Sequence, residues 1–213
     1  MQYKYKANGF LEAGKVSLAI EAYQKALDAA AEDPQQEGVI LHLRAAAYLQ
    51  RAAKHREKLQ DIVQELIAMV PAPPTLVSLL DVAYHATPLS AAVFRRVLQD
   101  SARQEVQFRA TQYRHGLYQY ALLQAAQDAL RATQVLPYYA PAWVRAGDIL
   151  GELWKLSEAV SSYERAMVLD ETAWRPTLEP VIARLVRRQE LLAEARTYRW
   201  SEDTLRLALD VAG

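Results

Sequence analysis

Residues Lys15–Leu27 read KVSLAIEAYQKAL, and Lys155–Met167, 140 positions later, read KLSEAVSSYERAM. Lys, Ser, Ala, Tyr and Ala recur at matching places, and Val16/Leu156, Ile20/Val160, Lys25/Arg165 and Leu27/Met167 exchange like for like. In the first copy Val16, Ala19, Ile20, Tyr23, Ala26 and Leu27 fall at the i, i+3, i+4, i+7 spacing of an amphipathic helix. A second helical stretch, about Tyr3 to Glu12, precedes it, and Gly14 between the two predicts a turn. The unit written twice is therefore a helical hairpin, closed in the first case by Asp33-Pro34.

The same grammar continues along the chain with prolines as punctuation. It predicts pairs at about 36–53 and 55–70, at 75–86 and 88–100, and at 101–136 with Gly116 near the turn. A fifth pair is expected at 141–153 and 157–170, a sixth from Thr177 to Tyr198, and a last helix at 202–211 as a cap. Thr87 and Pro88 read as an N-cap followed by a first-turn proline. Ala7, Ala19, Ala26 and, in the fifth pair, Gly147, Ala159 and Ala166 are small where helices approach. Tyr23 and Tyr163 supply bulk there, and Trp143 and Leu150 fill core places. An offset of 140 is close to four periods of about 34 residues, one helix–turn–helix repeat each.

Trp143, Gly147, Leu150, Leu153, Ala159, Tyr163, Ala166 and Leu169-Asp170 together resemble the tetratricopeptide repeat, as does Ala7-Asn8-Gly9-Phe10 through Leu27. The resemblance covers residues 3–33 and 140–171 best, with Gln124-Ala125 to Pro137 and Arg44-Ala45-Ala46-Ala47-Tyr48 fitting in part. It implies an all-α, right-handed superhelical array of about six antiparallel helix–turn–helix repeats with a C-terminal capping helix. All of residues 1–213 would form one domain: two repeats in 1–70, a divergent helical pair in 71–100, two repeats in 101–171, and a degenerate repeat and cap in 172–213. It further implies a non-catalytic scaffold or adaptor whose concave groove holds a peptide segment or partner protein.

Part of that family grips acidic chaperone tails through a carboxylate clamp, and charge-assisted hydrogen bonds suit carboxylates. By this resemblance Lys4 and Asn8 match its first two places, while the second Asn falls at Leu43, which cannot donate. Arg103 or Arg114 could supply its basic pair; Arg145 matches one of those places, and Pro141 occupies the other. A co-chaperone with a partial clamp is thus the second reading. The plainer one makes Lys4 and Asn8 ordinary solvated and turn-facing residues. The first 70 residues also resemble a microtubule-interacting and trafficking three-helix domain, but the returning phrase at 155–167 favours stacked repeats.

Other chemistry finds little footing. The chain has no Cys, which removes disulfides and thiolate ligands and suits an intracellular, cytoplasmic protein. His42, His55, His85 and His115 show no metal-ligand spacing, and no phosphate-loop or nucleophile motif occurs, so neither an enzyme nor a cofactor is expected. Net charge is zero, which leaves nucleic acid as a poor partner, although a helical-repeat RNA binder is a third reading. MQYKYKANGF has no apolar core of a signal peptide, and the uncharged stretch Leu66–Leu80 is broken by three prolines. Tyr113, Tyr118, Tyr120, Tyr138 and Tyr139 beside Arg109 and Arg114 have the composition of a protein-binding surface, with inter-repeat packing as the alternative. Trp174, Tyr198 and Trp200, rimmed by Arg187-Arg188 and Arg196/Arg199, could make the C-terminal end a docking surface.

Overall fold

Gly14 adopts φ 70°, and the chain reverses there. The Lys15 N–H donates to the Phe10 carbonyl at 2.8 Å and the Gly14 N–H to Leu11 at 2.9 Å, a Schellman motif ending helix α1 (Gln2–Glu12). Helix α2 (Val16–Ala29) then folds back, burying Val16, Ala19, Ile20, Ala22, Tyr23 and Ala26. The second copy of the phrase builds the same turn. Lys155 N–H donates to Leu150 at 2.9 Å and Trp154 N–H to Gly151 at 3.0 Å. The left-handed residue is here Trp154, at φ 59°, between α5 (Ala140–Glu152) and α6 (Leu156–Leu169).

The computed structural model of the protein describes residues 2–30, 32–69 and 102–197, the side chains of 63, 65–69, 102–108 and 194–197 excepted. Every regular element among them is an α-helix. The remaining three are α3 (Pro34–Met69), α4 (Ala102–Val135) and α7 (Glu171–Thr197). The expected pair at 75–100 and the cap at 202–211 lie outside the described residues.

Three expected boundaries differ. No break separates 36–53 from 55–70: α3 runs through, because Gln50–Lys58 contains only helix-compatible residues and neither Gly nor Pro. Its start follows the sequence closely. Asp33 caps it, accepting the Gln36 N–H at 3.0 Å, and Pro34 sits where a missing N–H costs nothing. Nor does α4 turn at Gly116; a lone glycine weakens a helix without ending it. Lastly, α7 starts at Glu171 rather than Thr177, since the Asp170 carboxylate accepts the Ala173 N–H at 3.1 Å and nucleates it there. It continues through Pro176 and Pro180 although each removes a ladder donor.

The chain divides into two compact units, one of residues 1–52 and 120–189, the other of 53–119 and 190–213. In the first, Ala7, Val16, Ala19, Ile20, Ala22, Tyr23, Ala26, Ala30, Ile40 and Ala47 form a core with Phe10, Leu11, Leu27, Leu43 and Tyr48 around it. Leu41, Ala132 and Ala142 form a smaller one with Leu27 and Tyr139. The start of α3 and the end of α4 lie side by side in this unit, antiparallel. Glu37 meets Arg131 at 3.4 Å, Arg44 meets Asp128 at 2.7 Å, and a Cβ on Gly38 would stand 2.4 Å from Leu136 Cγ. Gly147 likewise allows α5 and α6 to touch: its missing Cβ would lie 2.5 Å from the Tyr163 ring. In the second unit Leu59 is buried on α3 and Thr111 on α4.

Candidate functional site

The residues expected to bind a partner fall in both units. Lys4, Asn8 and Arg145 belong to the first, and Arg103, Tyr113, Arg114 and Tyr118 to the second. On α1, Lys4 is half-buried, with its ammonium 5.7 Å from the Tyr5 ring. One turn later Asn8 has a structural partner: its Oδ1 accepts the Tyr23 hydroxyl at 2.7 Å. The same bond recurs at the 140-residue offset, where Tyr163 donates to Asp148 Oδ1 at 2.9 Å. Asn8 and Asp148 are thus matching hairpin braces. Leu43, at the place where a clamp needs its second Asn, packs against the larger core.

Arg145, on α5, stands beside the Asp148 carboxylate in the first unit. Its Nη1 reaches Asp148 Oδ2 at 3.5 Å, while its buried Nε makes no hydrogen bond among the described residues. Burial raises the Asp148 carboxyl, against the opposing pull of the Tyr163 hydroxyl and the Arg145 charge. Burial and the Asp148 carboxylate together push the Tyr163 hydroxyl well above its usual range. His42, on α3, is held edge-on to Tyr139, ring centroids 5.5 Å apart. Burial first, then the Arg145 charge, push the imidazole down to about 4, so it is neutral at pH 7. Its Nδ1 is buried and makes no hydrogen bond among the described residues. His42, Tyr139, Arg145 and Asp148 bring a neutral imidazole, a phenol ring, a guanidinium and a carboxylate together on α3, at the start of α5 and on α5 itself. Such a set can hydrogen-bond or ion-pair with a polar segment.

A second network is structural. Arg44 donates to both oxygens of Asp128, each at 2.7 Å, and also to the Gln24 side-chain carbonyl. Gln24 in turn donates to Asp28 at 2.8 Å. Side chains from α2, α3 and α4 are so joined, with Arg44 and Asp128 only 14% and 8% exposed. The sequence marked Arg44 as part of a repeat-like run but held no sign of its partner 84 residues away.

In the second unit Tyr113 is 66% exposed on α4, Arg114 is half-buried, and Tyr118 lies 6.4 Å from His115. Arg103 lies on α4, its side chain outside the described set. No group of three His, Cys, Asp or Glu among the described residues could hold a metal, and no described helix is long and apolar enough to cross a membrane. Comparison with protein-family models finds no match, and comparison with curated proteins finds none.

Proposed function

We propose that the first unit is a short array of tetratricopeptide-like hairpins and that the protein is a non-catalytic scaffold or adaptor for a peptide segment or partner chain. The observation that carries this reading is the recurrence, at one offset, of the turn hydrogen bonds, the left-handed residue and the Tyr-to-Asn/Asp brace in α1–α2 and α5–α6. Between these hairpins the start of α3 and the end of α4 stand as the two helices of a middle hairpin. Residues 53–119 are then an insertion within it. Without them the 140-residue offset becomes 73, about two periods of ~34 residues rather than four. Hairpins of this kind leave faces that only neighbours cover, and their first helices present a common surface. Here that surface carries Lys4, His42 and Arg145.

The partial clamp is the weaker reading. Asn8 Oδ1 is engaged by the Tyr23 hydroxyl, and Leu43, packed against the core, cannot donate, so one of the donors such a clamp requires is missing. A selection from a peptide library on the full chain tests the proposal, with hits re-measured on Lys4→Ala, Arg145→Ala and Tyr113→Ala. Peptides that lose at least tenfold in affinity on Arg145→Ala support a binding face on α3 and α5. Loss on Tyr113→Ala alone moves the function to the second unit, and the absence of any enriched peptide refutes peptide binding. Acidic C-terminal tails that bind and are lost on Lys4→Ala would restore the co-chaperone reading.

A further inference from the structure

Pro141, Arg145, Asp148 and Glu152 follow one another at the i, i+4, i+7, i+11 spacing, along one stripe of α5. The single cation is preceded by a proline, which carries no charge, and followed by two carboxylates. His42, which meets this spot from α3, adds no charge at pH 7, because burial and the Arg145 guanidinium hold its imidazole down to about 4. Arg145 and Asp148 stand 3.5 Å apart, and both remain within reach of solvent, their side chains 28% and 38% exposed. The Glu152 charge acts on the same place and raises the Asp148 carboxyl further.

An anion brought to Arg145 therefore meets Asp148 at once, and the repulsion offsets what the guanidinium gains. A neutral polar group meets no such penalty. Arg145 offers only donors and Asp148 only acceptors. Asp148 Oδ1 takes the Tyr163 hydroxyl at 2.9 Å and Oδ2 faces Arg145 Nη1, which engages two of about four lone-pair positions. Donor and acceptor so lie side by side. A trans backbone amide cannot match them, since its C=O and N–H point in opposite directions. A primary carboxamide can, because its carbonyl oxygen and NH2 group share one edge.

We propose that Arg145 and Asp148 form a recognition pair for an Asn or Gln side chain of a bound peptide. Arg145 donates to the amide carbonyl, Asp148 accepts from the NH2 group, and Asp or Glu at the same place is rejected. The recognition pair rests on the α3–α5 binding face proposed above, and it gives that face a neutral ligand instead of an acidic one.

Peptides recovered from a random nonamer library on the full chain, and weakened at least tenfold by Arg145→Ala, supply the probes. Each is remade with its Asn residues changed singly to Asp and its Gln residues to Glu, which keeps the shape and exchanges a donor for a charged acceptor. On the parent chain one such exchange raises Kd at least tenfold. On Asp148→Asn, whose brace copies the Tyr23–Asn8 bond of the first hairpin, the same exchange raises Kd less than threefold. Probes without Asn or Gln, exchanges that all cost less than tenfold on the parent chain, or a cost of threefold or more on Asp148→Asn overturn the recognition pair and leave the binding face standing. A library that yields no Arg145-dependent peptide overturns both.

Discussion

The Arg44–Asp128 pair can be separated from the rest of the fold by a double-mutant cycle. Its geometry is bidentate, with two bonds of 2.7 Å, and the side chains are 14% and 8% exposed. Two unit charges about 4 Å apart attract by roughly 4 kcal/mol at an effective dielectric of ~20. Desolvation offsets much of this in the intact pair, but removing one partner strands the other, at a cost of about 3 kcal/mol. Arg44→Met keeps the aliphatic stem and should cost about 2 kcal/mol, because Asp128 is left without its donor. Asp128→Ala should cost about 3 kcal/mol, since Arg44 is the harder group to leave buried. The double variant should cost less than the two together, with a coupling of at least ~1.5 kcal/mol. Urea unfolding followed by circular dichroism and by tryptophan fluorescence measures all four chains; Trp143, Trp154 and Trp174 all report on this unit. The slope against urea should not change. A coupling below ~0.5 kcal/mol, with each single variant equally mild, would refute the pairing of α3 with α4 on which the middle hairpin rests.

Replacing residues 53–119 by a short polar turn should leave a helical, cooperatively unfolding protein, because the antiparallel register of Glu37–Arg131 and Arg44–Asp128 brings Ala52 beside Tyr120; loss of cooperative unfolding would show the insertion to be required. Gly147→Ala should destabilise by about 1–3 kcal/mol, since the new methyl meets a Tyr163 ring already tied to Asp148, and thermal unfolding at parent-like stability would contradict the close approach. The folded His42 titrates at about 4, below its unfolded value near 6.5, so the unfolded chain binds the extra proton first. Its contribution, up to ~3 kcal/mol, is fully present above pH ~6.5 and is lost as pH falls through about 4; His42→Gln should flatten stability over that window, and an unchanged slope would contradict the burial. Asp33, whose carboxyl is lowered by the Gln36 backbone and side chain, loses its capping contribution as pH falls below the normal carboxylate range; Asp33→Ala should lower the melting temperature at pH 7 and leave it little changed at pH 2.

Local chemistry was legible in the sequence wherever a few neighbouring residues determine the outcome. Gly14 required a turn, Asp33-Pro34 closed the first hairpin, and Gly147 and Tyr163 stood at the small and large places of a close approach; the structure has all three, with Asp33 also capping the helix that follows. Turn rules also misled where one residue overrode them. Trp154 occupies a left-handed position that the rules reserve for Gly or Asn, so only its alignment with Gly14 could have revealed it. Long helices hid for the opposite reason: α3 and α4 carry no strong breaker, and a period of about 34 residues imposed turns that the chain does not make. The polar spot around Arg145 was half legible. A resemblance pointed to Arg145 itself, but His42 and Tyr139 are brought to one spot by helix packing, which no spacing encodes.

The tyrosine braces show how two hairpins of one design can diverge in use. Tyr23 donates to a neutral amide, Asn8, and Tyr163 to a carboxylate, Asp148. The geometry is the same, but the second brace places a half-buried carboxylate beside Arg145 and leaves the guanidinium only partly engaged, since its contact is 3.5 Å and its Nε has no described partner. A carboxylate that both braces a tyrosine and restrains an arginine keeps that arginine oriented while leaving hydrogen-bonding capacity unused. In the first hairpin no such charge exists, and Lys4 rests near Tyr5 instead. If the binding face is where the proposal puts it, specificity should therefore reside on the α3–α5 side, at Arg145 and His42. Asp148→Asn then becomes the informative change. It copies the first hairpin's brace, so the fold should survive with a loss of no more than about 1 kcal/mol. Arg145, no longer held by a charge, should bind an acidic peptide with altered affinity. Unaltered binding of every selected peptide would place the recognition surface elsewhere.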